Sequence, residues 1–179
     1  MKSNTLKTHF FVCLSALLLS ISANAQQDAA YITKLENKSH RAYLNKNYQQ
    51  ALKCLLQLDT LVSYKSHVYD YWIGICLLST ENKLAAIPYL EHAERSNHTS
   101  FVVNYYLGRA YMFAERYEEA KNFLNVYAAE LNMRGTKFEE EKVVNDSHKI
   151  HVEKTLTDVY GLLTECETHL TREILTSSK

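Results

Sequence analysis

The chain has 179 residues, 46% of them hydrophobic and 22% charged, which is typical of a folded domain and excludes a disordered protein. Its 20 basic residues balance its 20 acidic residues, so no basic excess points to a nucleic acid or an anionic membrane. Four glycines and one proline are too few for phosphate-binding loops or for the turns of a β-sandwich, which disfavours both classes.

The first 25 residues have the features of a secretory signal peptide. Lys2 and Lys7 precede an apolar run over residues 10–21, and Ala23–Ala25 supplies the small residues of a cleavage site. Because the run is shorter than the roughly 20 residues that span a bilayer, cleavage after Ala25 is favoured over an uncleaved anchor. The mature chain is expected to contain no transmembrane segment.

The sequence then repeats with a period of 34 residues. Residues 67–100 align with residues 101–134, and a weaker copy covers residues 32–66, where Ser39 stands in the place of a glycine. The shift superimposes small and large apolar residues in pairs: Gly74 on Gly108, Ile73 on Leu107, Ala86 on Ala120 and Leu90 on Leu124. Each copy is predicted to form a hairpin of two helices.

Small residues give each predicted hairpin a point of close approach. Two antiparallel helices approach closely only where both lack bulk, so we expect Gly108 on the first helix to face Ala120 on the second, and Gly74 to face Ala86 in the same way. Pro88 falls within a second helix, where it is expected to remove a backbone hydrogen bond and bend the helix.

The repeat resembles the tetratricopeptide repeat (TPR) family. The resemblance rests on the segments Tyr106–Tyr111 and Tyr117–Ala120, followed by Leu124 and Tyr127, and it covers about residues 32–134. It implies an all-α, right-handed stack of about three hairpins with a peptide-binding concave face. With the signal peptide, the chain also resembles the N-terminal TPR segment of bacterial envelope proteins that carry a β-propeller and an OmpA-like domain.

After the repeats, residues 135–179 are predicted to form a helical cap. One apolar stripe runs along a helix of about 25 residues at intervals of three and four: Val152, Leu156, Val159, Leu163, Cys166, Leu170 and Ile174. The end of a repeat array exposes an apolar face that must be covered, which favours a capping helix. The same spacing also suits a short coiled coil, so a homodimer through this helix stays open as the alternative.

No catalytic motif is found, so we predict a protein that is not an enzyme and that has no cofactor and no metal site. His148 and His151 share a predicted helix face but lack further ligands. Cys54, Cys76 and Cys166 match no zinc or redox spacing and are expected to be half-buried thiols, although one disulfide is possible in an oxidising compartment. An exported hydrolase with an unrecognised site is a further alternative.

The first helices of successive hairpins are expected to line a concave groove. The helix phase that does not face the second helix contains tyrosines and an arginine, which are common among residues that dominate binding energies. These predicted groove residues are His40, Tyr43, Tyr71, Ile75, Leu78, Tyr105, Arg109 and Met112. Covering of Tyr71, Ile75 and Tyr105 by the C-terminal helix is the alternative.

Together these observations lead to one functional expectation. The chain is predicted to be a non-catalytic module that binds or scaffolds other proteins, exported to a bacterial periplasm or cell envelope. Its partner is expected to be an envelope protein or peptide. A structural subunit that assembles through the C-terminal helix is the alternative.

Overall fold

The computed structural model describes residues 26–62, 66–96, 101–134 and 156–177. These residues are helical apart from short connections, and no strand occurs among them, so the prediction of an all-α fold is confirmed. The helices are α1 (26–44), α2 (Tyr48–Leu61), α3 (Ser66–Leu78), α4 (Ala86–Arg95) with a preceding 3₁₀ helix (Lys83–Ala85), α5 (Val103–Phe113), α6 (Tyr117–Arg134) and α7 (Leu156–Ser177). The proposed signal peptide, His148 and His151 lie outside the described residues.

The helices pack in chain order. Helix α2 packs against α3, α3 against α4, α4 against α5, α5 against α6, and α6 against α7. Helix α1 contacts α3, since the Tyr69 hydroxyl donates a hydrogen bond of 2.8 Å to Glu36 and the rings of Tyr43 and Trp72 lie 5.2 Å apart. Each helix therefore buries one face on its predecessor and another on its successor.

The two repeat glycines lie where a leucine side chain enters from the second helix. A Cβ placed on Gly74 would lie 2.5 Å from Cγ of Leu90, and one on Gly108 would lie 2.6 Å from Cγ of Leu124. The carbonyl oxygen of Ala120 is 3.3 Å from the same point above Gly108. The expected close approach is therefore present, but its main partner is the leucine rather than the alanine one turn earlier.

Two of the hairpin turns have the same backbone geometry. Lys46 and Glu115 adopt left-handed φ values of 58° and 57° at the ends of α1 and α5. The next residue in each turn donates back to the helix: the N–H of Asn47 to Ala42 at 2.8 Å, and that of Arg116 to Tyr111 at 3.0 Å. This is the Schellman helix ending, which satisfies carbonyls that the helix itself leaves without a partner.

The middle hairpin begins its second helix differently. The 3₁₀ helix Lys83–Ala85 precedes α4, and Pro88 lies in the first turn of α4 rather than in its interior. A proline clashes with the carbonyl four residues earlier, here that of Leu84, and disfavours α-helical geometry just before itself. The expected bend within the helix is therefore wrong, because the proline acts at the helix start.

Helix α7 packs antiparallel to α6. Lys121 pairs with Glu167 at 3.2 Å, and the rings of Tyr117 and His169 stack with centroids 4.3 Å apart. The central residues of the predicted stripe, Val159, Leu163 and Cys166, are buried, whereas Ile174 is 68% exposed. Val152 precedes the described helix. Within the described ranges, no helix has both the length and the apolar character needed to cross a membrane.

Candidate protein-binding surface

The eight predicted groove residues divide into two equal sets by burial. Tyr71, Ile75, Leu78 and Tyr105 are buried, with exposures of 0–5%. The other four are only partly buried: His40, Tyr43, Arg109 and Met112. A partner can contact the second set without rearrangement of the helices, whereas the first set belongs to the core of the described structure. The assignment of the eight residues to one partner-binding groove stays a prediction.

The buried tyrosines belong to a row of aromatic rings that joins successive helices. Tyr71 contacts Trp72 at 5.3 Å and Tyr106 at 6.0 Å between ring centroids, while Tyr105 contacts Tyr106 at 5.3 Å and Tyr127 at 5.4 Å. Most of these contacts are edge-to-face, which is a favoured arrangement because the positive ring edge meets the negative ring face. The high tyrosine content therefore serves the packing of α3, α5 and α6.

A second group of residues surrounds Phe113 at the end of α5. This ring is 42% exposed. The ammonium of Lys83, from the 3₁₀ helix, lies 4.7 Å from its centroid, and the guanidinium of Arg109 lies 6.0 Å from it and 5.9 Å from that of Tyr105. Cations at these distances are attracted by the electron-rich ring face. We call Lys83, Arg109 and Phe113 the cation–aromatic patch.

The sequence predicted only Arg109 of this patch. Phe113 follows the predicted groove residue Met112 directly, so its neighbourhood gave a signal that the helix phase obscured. Lys83 gave no such signal, because it lies in the preceding hairpin and reaches α5 only through the packing of the 3₁₀ helix on that helix.

A contrasting cation lies over Tyr111. The Arg116 guanidinium is 4.5 Å from the Tyr111 centroid and forms an ion pair of 2.7 Å with Glu119. The Tyr111 hydroxyl donates to Glu91 on α4, and burial together with this carboxylate raises the pKa of Tyr111 to about 12. Tyr111 therefore keeps its proton and links α5 to α4, while Arg116 already has an anionic partner.

Three titratable side chains come together on α2, α3 and α4. Asp70 is buried and bonded to Nδ1 of the half-exposed His92. Asp59 has a raised pKa because of burial and the nearby charge of Asp70, with a smaller opposing effect of His92. These residues were not singled out from the sequence, because residues 11 and 22 positions apart in a helical array carry no local pattern. The cluster ties three helices together.

The described residues give no chemistry of the metal or thiol kind. Among them, no group of three or more His, Cys, Asp or Glu side chains is arranged to hold a metal ion. Cys54, Cys76 and Cys166 are free thiols, fully buried rather than half-buried as expected. Burial raises the pKa of Cys76 to about 12, which suppresses the reactive thiolate.

No model of a known protein family matches the chain, and no curated protein matches it either. The interpretation of its function therefore depends on the repeat, the helix packing and the surface described above.

Proposed function

We propose that the chain is an exported, non-catalytic protein of the tetratricopeptide-repeat type that binds or scaffolds other proteins in a bacterial periplasm or cell envelope. The observation that carries this proposal is the recurrence of one contact at the repeat spacing. Gly74 receives Leu90, and 34 residues later Gly108 receives Leu124. A fold built of equivalent helix pairs presents an extended surface rather than a single cleft, which suits the binding of a protein segment.

Further support comes from the turns and from the C-terminal helix. The equivalent Schellman endings at Lys46 and Glu115 agree with a repeated hairpin. Helix α7 buries Val159 and Cys166 where α6 would otherwise end the array, as expected for a cap. The apolar residues on which the alternative of a coiled-coil dimer depends are therefore largely used within one chain.

The place of action rests on residues 1–25, which lie outside the described residues. Their charge, apolar run and small residues favour export and cleavage after Ala25. Mass spectrometry of the protein from the periplasmic fraction tests this directly, since the proposal requires a mature chain beginning at Gln26.

Cross-linking in envelope extracts tests the binding function. The variant pair Arg109→Ala/Met112→Ala removes one cation and one apolar side chain from the partly buried part of the predicted groove. We expect at least one specifically captured protein to be lost. The exposed pair Lys53→Ala/Leu56→Ala on α2 removes the same two chemical types and serves as the control. Capture that is equal for wild type and both variants contradicts the proposal.

A further inference from the structure

We propose that the cation–aromatic patch binds an acidic peptide segment, with a glutamate or aspartate carboxylate between Lys83 and Arg109 and a neighbouring apolar side chain on Phe113. This inference rests on the proposed function and specifies the chemistry of the partner. It depends on three features of the patch: its geometry, its charge and its surroundings.

The geometry brings two cations to one ring from different elements. Lys83 lies on the 3₁₀ helix and Arg109 on α5, yet both charged groups are within 6.0 Å of the Phe113 centroid. Both side chains are partly buried, so their conformations are restricted by packing. A ligand that meets cations whose positions are already restricted loses less entropy when it orders them.

The charges of the patch are not balanced. Within the described part of the chain, neither Lys83 nor Arg109 has a carboxylate within ion-pair distance. Arg116, which also lies over an aromatic ring, is by contrast paired with Glu119 at 2.7 Å. Two like charges near one ring repel each other, and an anion that contacts both removes this repulsion. The patch is thus electrostatically complementary to a carboxylate.

The surroundings favour a peptide over a polyanion. Phe113 and Leu84 are 42% and 56% exposed, and they offer apolar area beside the charges. Glu81 and Glu115 are exposed and lie two residues from Lys83 and Phe113, so a nucleic acid or an anionic membrane would meet repulsion on both sides. A single carboxylate with an apolar neighbour fits between these features.

The test is an NMR titration of the mature protein with a short, end-blocked peptide that alternates glutamate and leucine. The same peptide with glutamine in place of glutamate is the ligand control. We expect the acidic peptide to shift the signals of residues 83–84 and 109–113, and to bind more weakly in about 0.5 M NaCl because salt screens the charges. The glutamine peptide should bind much more weakly.

Matched arginine variants locate the site. Lys83→Gln and Arg109→Gln should each weaken binding of the acidic peptide about fivefold, the upper range for a partly exposed ion pair. Arg116→Gln should leave the affinity within about twofold, because this cation already has a carboxylate partner. Circular dichroism checks that each variant remains helical.

Three results would overturn the inference. The first is equal binding of the acidic and glutamine peptides, and the second is an equal loss with Arg116→Gln. The third is tighter binding of duplex DNA or anionic vesicles that is lost with Lys83→Gln. If the peptide fails while Arg109→Ala/Met112→Ala still abolishes capture of a cross-linked protein, only the acidic chemistry is wrong and the proposed function stands.

Discussion

Helices α5 and α7 each contain one glycine, and the surroundings of the two glycines differ. Gly108 in α5 faces Leu124 so closely that a Cβ would lie 2.6 Å from it, whereas nothing lies within 4 Å of the Cβ position of Gly161 in α7. Helix α5 packs against both α4 and α6, while the described packing of α7 is chiefly against α6. The comparison teaches that a glycine in a helix reports close packing only where a second helix is present.

The largest expected effect contrasts a buried leucine with an exposed apolar residue of α7. Leu124 is fully buried against Gly108, so Leu124→Ala should lower the free energy of unfolding by about 2–5 kcal/mol. Ile174→Ala, at a site 68% exposed, should change it by less than about 0.5 kcal/mol. Urea unfolding followed by circular dichroism measures both. Similar losses in the two variants would mean that Ile174 is covered by a second copy.

The next prediction concerns local opening. Cys76 and Cys166 are both fully buried, but α3 packs against α2, α4 and α5. Opening of α7 breaks fewer contacts, so we expect Cys166 to be labelled by a thiol reagent roughly 30-fold faster than Cys76, equivalent to about 2 kcal/mol. Mass spectrometry of peptides after timed labelling measures the two rates. Equal rates would show that α7 unfolds only with the rest of the chain.

The glycines themselves give a contrast of opposite sign. Gly74→Ala should destabilise the fold by about 1–3 kcal/mol, because the new methyl group meets Leu90 and overpacks the contact. Gly161→Ala should stabilise it by about 0.5–1 kcal/mol, because alanine is the better helix former and the site is open. Thermal unfolding of the two variants checks the signs, and stabilisation by Gly74→Ala would contradict the close contact.

The smallest expected effect is the pH dependence of stability from Asp59. Its pKa is raised in the fold by burial and by Asp70, so its contribution to stability is complete below the unfolded pKa and is lost as pH rises through the folded pKa. Asp59→Asn should therefore stabilise the protein at neutral pH and lose this advantage in acid. Unfolding midpoints measured from acid to neutral pH test the sign.

Glu119 provides the matched control with the opposite sign. Its bond to Arg116 lowers its pKa, so its contribution is present above the unfolded pKa and is lost as pH falls through the folded pKa. Glu119→Gln should therefore cost stability at neutral pH and not in acid. If Asp59→Asn and Glu119→Gln shift the midpoints in the same direction, the assigned environment of Asp59 is wrong.

Much of the fold was accessible from the sequence because helical periodicity is local. The repeated small and large residues predicted the helices and the position of close approach at Gly108, and the three- and four-residue spacing predicted α7. The candidate site was less accessible. Helix phase identified a face that contains Tyr71 and Arg109, but it did not reveal that Tyr71 is buried among aromatic rings while Arg109 is partly exposed.

The sequence by itself determined the helices and the spacing of the glycines, since both follow from interactions between residues a few positions apart. Tertiary structure alone decided that Leu90 rather than Ala86 fills the space over Gly74, and that Lys83 reaches the ring of Phe113. The physical reason is that a helix has several faces of similar composition, and only the placement of its neighbours decides which side chains are covered and which charges meet.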